Sequence, residues 1–149
     1  MATINVPQDF RKFLRLLNEH HVEYLLIGGY AVSYHGYPRA TADMDIWILA
    51  NRQNAERITA ALKEFGFDVP GLSVDLFQKE NQIIRIGVPP LRLKIATSIS
   101  GVNFEECYAS RVTEMLGDVS INVIDLTHLK INKRASGRHR DLDDLENLP

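Results

Sequence analysis

The stretch YLLIGGYAVSYHGYPRATADMDIWIL, residues 24–49, decides how this chain folds. It opens with four apolar residues, which predict a short strand, and that strand ends at Gly28-Gly29. The six residues after the glycines predict a short helix. The stretch closes on a run of β-branched and aromatic residues that begins with Asp43 and Asp45, which predicts a second strand. A glycine pair and a carboxylate pair therefore stand on neighbouring elements.

The two aspartates point to one face of the predicted strand, because side chains alternate along a strand and these two are separated by one residue. Two hard oxygen ligands on one side suit Mg²⁺, or Mn²⁺, that also takes triphosphate oxygens and water. An Asp-x-Asp pair alone is a weak signal, since it also occurs on solvated surfaces. The glycine pair in front of it makes the combination more specific, so we expect Asp43 and Asp45 to be metal ligands and catalytic residues.

Gly28 and Gly29 are the predicted nucleotide-binding residues, together with Arg39. Glycines at a strand end let backbone N–H groups approach a phosphate without a Cβ in the way. Arg39 stands four residues before the first aspartate. Its guanidinium suits phosphate oxygens, and a surface ion pair explains it equally well. We expect the nucleotide cleft at the end of the first two strands.

The motifs around this stretch resemble those of the polymerase-beta-type nucleotidyltransferase superfamily. The chain is similar to the small stand-alone members of that superfamily, several of which act in toxin-antitoxin or phage-defence pairs. The resemblance covers most of the chain, and its motifs are IGGYAV at 27–32, HGxPRxTxDxDI at 35–46, GxPP at 87–90, TSISGVxFEE at 97–106 and KRxxGRxxDLxDL at 133–145.

This resemblance implies a fold and an activity. The fold would be of the α+β class, a mixed sheet of about five strands flanked by helices. The activity would be metal-assisted in-line transfer of a nucleoside monophosphate from an NTP to a hydroxyl acceptor, which is RNA, protein or a small molecule. In that superfamily the glycine pair contacts the triphosphate and the two aspartates hold the metals. A cognate toxin-antitoxin partner is a further implication.

Lys94 is a third candidate catalytic residue, and it departs from the superfamily pattern. A third carboxylate usually occupies that position, in a motif that reads RLKIATS at 92–98 in this chain. A protonated ammonium cannot ligate Mg²⁺ and competes electrostatically with the metal. Three explanations stay open, namely a natural pseudoenzyme, an altered mechanism in which Lys94 neutralises charge, and a deliberate substitution that silences activity. Asp75 is the nearest other acid on a predicted strand, but it lies outside the motif and is read as solvated.

Composition narrows the class of protein. At 149 residues and 45% hydrophobic content the chain fits one domain, residues 1–149, with a C-terminal helical segment from about residue 125. The net charge of −2 argues against a generally basic nucleic-acid binder. Cys107 is the only cysteine, which excludes an internal disulfide and zinc sites with several thiolates. No leader-like or membrane-spanning stretch is evident, so we expect a cytoplasmic protein without membrane contact.

The rest of the chain reads as alternating helices and strands. Apolar spacing and capping residues predict helices over 7–20 and 52–65, and a final helical region that opens at Asp125. Further strands are predicted over 73–77, 82–88 and 91–97, and a hairpin over 111–124.

Basic residues are densest near the C-terminus, at Lys130, Lys133, Arg134, Arg138, His139 and Arg140. They suit RNA or nucleotide phosphates, and a solvated helix face paired with the alternating acids explains them almost as well. Three functions therefore compete. The leading one is a nucleotidyltransferase, the second is a catalytically impaired nucleotide-binding or partner-binding module, and the third is an RNA-binding component.

Overall fold

The computed structural model describes residues 4–68 and 70–149, which form six strands and seven helices. The strands are β1 Tyr24–Ile27, β2 Asp43–Ile48, β3 Ile83–Val88, β4 Leu91–Ala96, β5 Val112–Leu116 and β6 Val119–Val123. The helices are α1 Gln8–Glu19, α2 Gly28–Tyr34, α3 Arg52–Phe65, α4 Val74–Gln78, α5 Phe104–Ala109, α6 Leu126–Ser136 and α7 His139–Asn147.

All six strands belong to one mixed sheet in the order β3-β4-β2-β1-β6-β5. Parallel pairing joins β4 to β2 and β1 to β6, and the other three neighbouring pairs are antiparallel. The α+β class and the mixed sheet are thus confirmed, with six strands rather than about five.

The central strands carry the core. All four residues of β1 are buried, and so are the last three residues of β2. Trp47 in β2 is only 2% exposed and packs edge-on against Phe104 of α5 with ring centroids 5.1 Å apart. This edge-on contact packs α5 against the centre of the sheet.

The helix boundaries follow local signals. The Asn51 side chain accepts a hydrogen bond from the backbone N–H of Asn54 at 2.8 Å, and Gly66 ends α3 with φ 107°. Asn103 and Asp125 cap α5 and α6 through the same kind of bond. The predicted start of the final helical region at Asp125 is therefore confirmed.

The strand predicted over 73–77 is wrong, because this segment forms α4. Its alternating apolar residues imitate a strand, but Ser73 stands before a helical turn and α4 packs against α3, with Phe77 fully buried. Asp75 is exposed on this helix, so its reading as a solvated residue fits.

Two details near the glycine pair also differ from expectation. The helix begins at Gly28 itself, so the glycines form its first turn rather than a loop before it. β1 and β2 are antiparallel, with Ile27 opposite Asp45. The end of β1 therefore meets the start of β2, and the cleft lies there rather than at the ends of both strands.

Candidate active site

One open cavity of about 860 Å³ lies where β1 ends and where β2 and β4 begin. All six residues predicted as site residues line it, namely Gly28, Gly29, Arg39, Asp43, Asp45 and Lys94. The structure brings them together, while the chemical roles expected of them stay predictions.

The glycine pair is held against the side chains that follow it in the sequence. Gly28 has φ 65°, and a Cβ there would collide with the carboxylate of Asp45. A Cβ on Gly29 would lie 2.6 Å from the Thr41 side chain and 3.2 Å from Nη1 of Arg39. Only glycine therefore fits at both positions, and the cavity borders their backbone.

Four charged side chains form the cavity floor on adjacent parallel strands, and we call Asp43, Asp45, Arg92 and Lys94 the cleft-floor quartet. In the β2–β4 register Asp43 lies opposite Arg92, and Asp45 lies opposite Lys94. Arg92 donates two hydrogen bonds to Asp43, from Nε to Oδ1 at 2.9 Å and from Nη2 to Oδ2 at 3.0 Å. These bonds raise the pKa of Arg92. Each carboxylate thus faces a base on the next strand.

Asp45 differs from Asp43 because it has an unused oxygen. Its Oδ1 is buried and has no hydrogen-bond partner among the described residues. Burial raises the pKa of Asp45, and the neighbouring Lys94 opposes that rise. Lys94 itself makes no hydrogen bond or ion pair within residues 4–68 and 70–149. Two opposite charges therefore face each other across the strands without pairing.

A divalent cation fits this pair of aspartates. An orphaned buried oxygen beside a second carboxylate offers hard ligands to Mg²⁺ or Mn²⁺, which commonly keep water and substrate phosphate in the rest of their shell. No group of three or more His, Cys, Asp or Glu side chains that could hold a metal occurs among the described residues. The protein would thus supply two carboxylates and leave most positions to water and ligand.

Arg39 forms an ion pair, which was its alternative role, but the pair is largely buried and does not lie on the surface. Its Nε lies 2.8 Å from Oδ1 of Asp144 and its Nη2 lies 3.0 Å from Oδ2. The third nitrogen, Nη1, remains near Gly29 and makes only a long bond of 3.4 Å to the Ala40 carbonyl. The ion pair therefore fixes the guanidinium while one nitrogen stays beside the glycine pair.

A buried set of ion pairs, which we call the C-terminal network, connects α6 and α7 to this arginine. Lys133, only 5% exposed, lies 3.2 Å from Asp141 and 3.1 Å from Asp144. Arg138 also bonds Asp141, and Arg39 completes the network. Burial alone would raise the pKa of Asp141, but hydrogen bonds from Arg138 and Lys133 outweigh it and lower that pKa.

Sequence reasoning missed part of this arrangement. Arg92 carried no signal, because nothing local says which strand will lie beside Asp43. Lys133 was grouped with its basic neighbours, whereas it is buried and lines the cavity together with Arg138 and Arg140. The competing interpretation paired these bases with the alternating acids on a solvated helix face. The pairs with Asp141 and Asp144 do occur, but both acids are buried, so the solvated face is wrong at these positions.

Comparison with solved structures places the fold in a class. A protein from Thermotoga maritima that is assigned as a nucleotidyltransferase has 17% identity and a TM-score of 0.62, over 92% of this chain and 88% of that chain. The lincosamide antibiotic adenylyltransferase LnuA, solved with lincomycin bound, has 18% identity and a TM-score of 0.61, over 97% of both chains. These likenesses show a nucleotidyltransferase fold, as the motifs imply.

The particular family follows from the sequence match. The chain belongs to the aminoglycoside-2''-adenylyltransferase family, whose family model matches residues 9–148. No curated protein matches the chain. Among the described residues, no helix is both long enough and apolar enough to cross a membrane.

Proposed function

We propose that this protein binds an NTP with a divalent cation and transfers the nucleoside monophosphate to a hydroxyl group of a small molecule. The observation that carries the proposal is the convergence of a bare glycine backbone, two carboxylates and several cations on one cavity. The family name specifies an aminoglycoside acceptor and LnuA was solved with lincomycin, so both comparisons favour a small acceptor over RNA or protein.

The charges of the cavity suit a triphosphate. Six bases line its wall beside two acids, and they are Arg39, Arg92, Lys94, Lys133, Arg138 and Arg140. Asp141 and Asp144 pair with three of these bases, so the excess is two positive charges. A cleft with one excess sign concentrates ligands of the opposite sign. Backbone N–H groups at Gly28 and Gly29 would contact phosphate oxygens, and Nη1 of Arg39 would reach the same group from the side.

Asp43 and Asp45 would hold the cation, which when bound neutralises phosphate charge during in-line displacement. In the transfer, the acceptor oxygen forms a bond to the α-phosphorus as the bond from that phosphorus to the pyrophosphate oxygen breaks. Pyrophosphate leaves, and the hydroxyl proton passes to solvent through the open mouth of the cavity. The network that fixes Arg39 would orient the phosphates for this step.

Binding and transfer are tested separately. Calorimetry with ATP, GTP, CTP and UTP in Mg²⁺ should give binding to the native chain and a loss of at least about tenfold in affinity for Asp43→Asn/Asp45→Asn. Absence of binding by every NTP would overturn the proposal. Transfer is then followed with α-phosphate-radiolabelled NTP offered to aminoglycosides, lincosamides, bulk tRNA and denatured protein. Label on tRNA or protein alone would contradict the small-molecule acceptor.

A second candidate is a nucleotide-binding or partner-binding module that does not turn over. The observation in its favour is that both aspartates face bases across the strands. Such a module would bind NTP without releasing pyrophosphate. If a missing third acid limits catalysis, Lys94→Asp should increase Mg²⁺-dependent transfer, whereas equal or lower activity would remove that argument.

The toxin-antitoxin partner and the cytoplasmic location stay predictions. Co-expression of the chain with the product of an adjacent small gene, followed by affinity purification, tests the first. Fractionation of cells that express the tagged protein tests the second.

A further inference from the structure

Two unused groups face each other on the cavity floor. Oδ1 of Asp45 is buried without a hydrogen-bond partner, and Lys94 lies opposite it in the β2–β4 register. The Lys94 ammonium makes no ion pair among the described residues, although it lines the same cavity. One step along the strands, Arg92 and Asp43 do pair closely. Asp45 and Lys94 thus both line the cavity without pairing with each other, so a ligand bound in the cavity can engage both residues.

The Asp45 carboxylate and the Lys94 ammonium would bind different parts of that ligand. A buried carboxylate oxygen without a donor favours a cation. An ammonium with three donors and no acceptor favours an anion such as a phosphate oxygen. A metal-bound phosphate between the two satisfies both groups at once.

The same geometry opposes a second metal ion. In two-metal phosphoryl transfer the ions lie about 4 Å apart and share carboxylate ligands. Here the position next to Asp45 on the neighbouring strand carries a positive charge, and no third carboxylate joins Asp43 and Asp45 among the residues that the structure describes. A second divalent ion would meet the ammonium instead of a ligand, and like charges at such a distance repel strongly in a partly buried site.

We propose that the site takes one divalent cation, held by Asp43 and Asp45, and that Lys94 supplies the second positive charge by donating hydrogen bonds to the triphosphate. This inference rests on the proposed function. Lys94 is then a substrate-binding residue of a one-metal site, and its presence does not mean that the site has lost its activity.

The number of bound cations tests the proposal. Equilibrium dialysis with Mn²⁺ and α,β-methylene-ATP, read by electron paramagnetic resonance, gives the ratio of Mn²⁺ to analogue retained by the protein. We expect a ratio of one for the native chain and two for Lys94→Asp, which supplies the carboxylate a second ion needs. A ratio of two for the native chain would overturn the inference even though nucleotide binding stands.

Lys94→Met keeps the test decisive if the aspartate variant does not fold. It should keep the ratio at one and weaken analogue binding at least about tenfold, because charge-assisted hydrogen bonds to phosphate are lost. Unchanged affinity in this variant would also overturn the inference. Failure of the native chain to bind Mn²⁺ with the α,β-methylene analogue of any of the four NTPs would overturn the proposed function together with it.

Arg85→Met is the matched control. Arg85 is an exposed base on β3, opposite Lys94 in the β3–β4 register, and it does not line the cavity. Its loss removes the same charge from the neighbouring strand, so the ratio should stay at one and the affinity should change less than about threefold. A loss in this control as large as that in Lys94→Met would mean that general charge, rather than the position of Lys94, governs binding.

Discussion

The cleft-floor quartet and the C-terminal network are both built from aspartates that face bases, yet they differ in how completely those aspartates are satisfied. In the network every carboxylate oxygen has a donor, and Lys133 reaches both acids. In the quartet one pair is closed, between Asp43 and Arg92, whereas Oδ1 of Asp45 lacks a partner.

This difference indicates that the charges of the network stabilise the fold, whereas those of the quartet bind a ligand. A fully paired buried cluster specifies one arrangement of the chain, while an unpaired buried charge raises the free energy of the unliganded protein and is relieved by a ligand. The pKa shifts agree, because that of Asp141 is lowered and that of Asp45 is raised. The network should hold the fold, and the quartet should hold the ligand.

Breaking the network should give the largest effect. Lys133→Met leaves two buried aspartates short of a donor, so the free energy of unfolding should fall by about 3–5 kcal/mol. Urea denaturation measures this change. Arg134→Met is the control, since Arg134 is an exposed base on the same helix and its loss should cost less than about 0.5 kcal/mol. Equal losses in the two variants would contradict the structural role of the network.

Two glycines, one in each region, allow a comparison at nearly equal φ. Gly28 has φ 65° beside the quartet, and Gly137 has φ 64° at the end of α6. Alanine at Gly137 meets nothing closer than 3.6 Å, so it should cost about 1 kcal/mol for the left-handed backbone.

Alanine at Gly28 would also collide with Asp45, which adds overpacking and brings the loss to about 2–4 kcal/mol. Thermal denaturation of both variants, together with calorimetry for NTP, checks the difference. Only Gly28→Ala should lose nucleotide binding. If Gly137→Ala weakened NTP binding equally, the glycine pair would have no special place in the site.

Neutralising Asp45 should increase the stability of the unliganded protein, whereas the preceding substitutions should lower it. Asp45→Asn removes a buried charge that lacks a partner, so the unliganded protein should gain on the order of 1 kcal/mol at neutral pH while NTP binding in Mg²⁺ weakens. Asp75→Asn, which changes an exposed acid on α4, should leave both quantities nearly unchanged.

The gain should depend on pH. The folded pKa of Asp45 is raised above the ordinary value of 3.8, so its contribution to stability is present below that value and is lost as pH rises through the folded pKa. The difference between Asp45→Asn and the native chain should therefore shrink on acidification toward about pH 4. Urea titrations across this range measure it, and a difference that grows at low pH would contradict the assignment.

Removing the ion pair between Arg92 and Asp43 should change stability least. Arg92 and Asp43 are partly exposed, with side chains 38% and 21% accessible, so Arg92→Met should leave the free energy of unfolding nearly unchanged. Because Arg92 no longer competes for the carboxylate, Mn²⁺ without nucleotide should bind about threefold more tightly. Electron paramagnetic resonance titration measures this affinity. Weaker Mn²⁺ binding would mean that Arg92 orients Asp43 for the metal instead.

Much of the site was readable in the sequence because its signals are local. The apolar run, the glycine pair and the Asp-x-Asp spacing lie within 24–49, and their strand and helix periods follow from short-range geometry. The segment 73–77 shows the limit of such signals, because its alternation fits a strand while packing against α3 makes it a helix. The local pattern predicts which secondary structure a segment can form, and burial in the tertiary structure decides which one it does form.

The sequence by itself determined that a glycine pair and two carboxylates share one site, that a base replaces the expected third acid, and where most helices begin and end. Only the tertiary structure decided which base faces which acid. Arg92 reaches Asp43 across 49 positions and Arg39 reaches Asp144 across 105, through sheet assembly and helix docking. Pairing at such separations depends on how the whole chain buries its apolar surface, which no short stretch encodes.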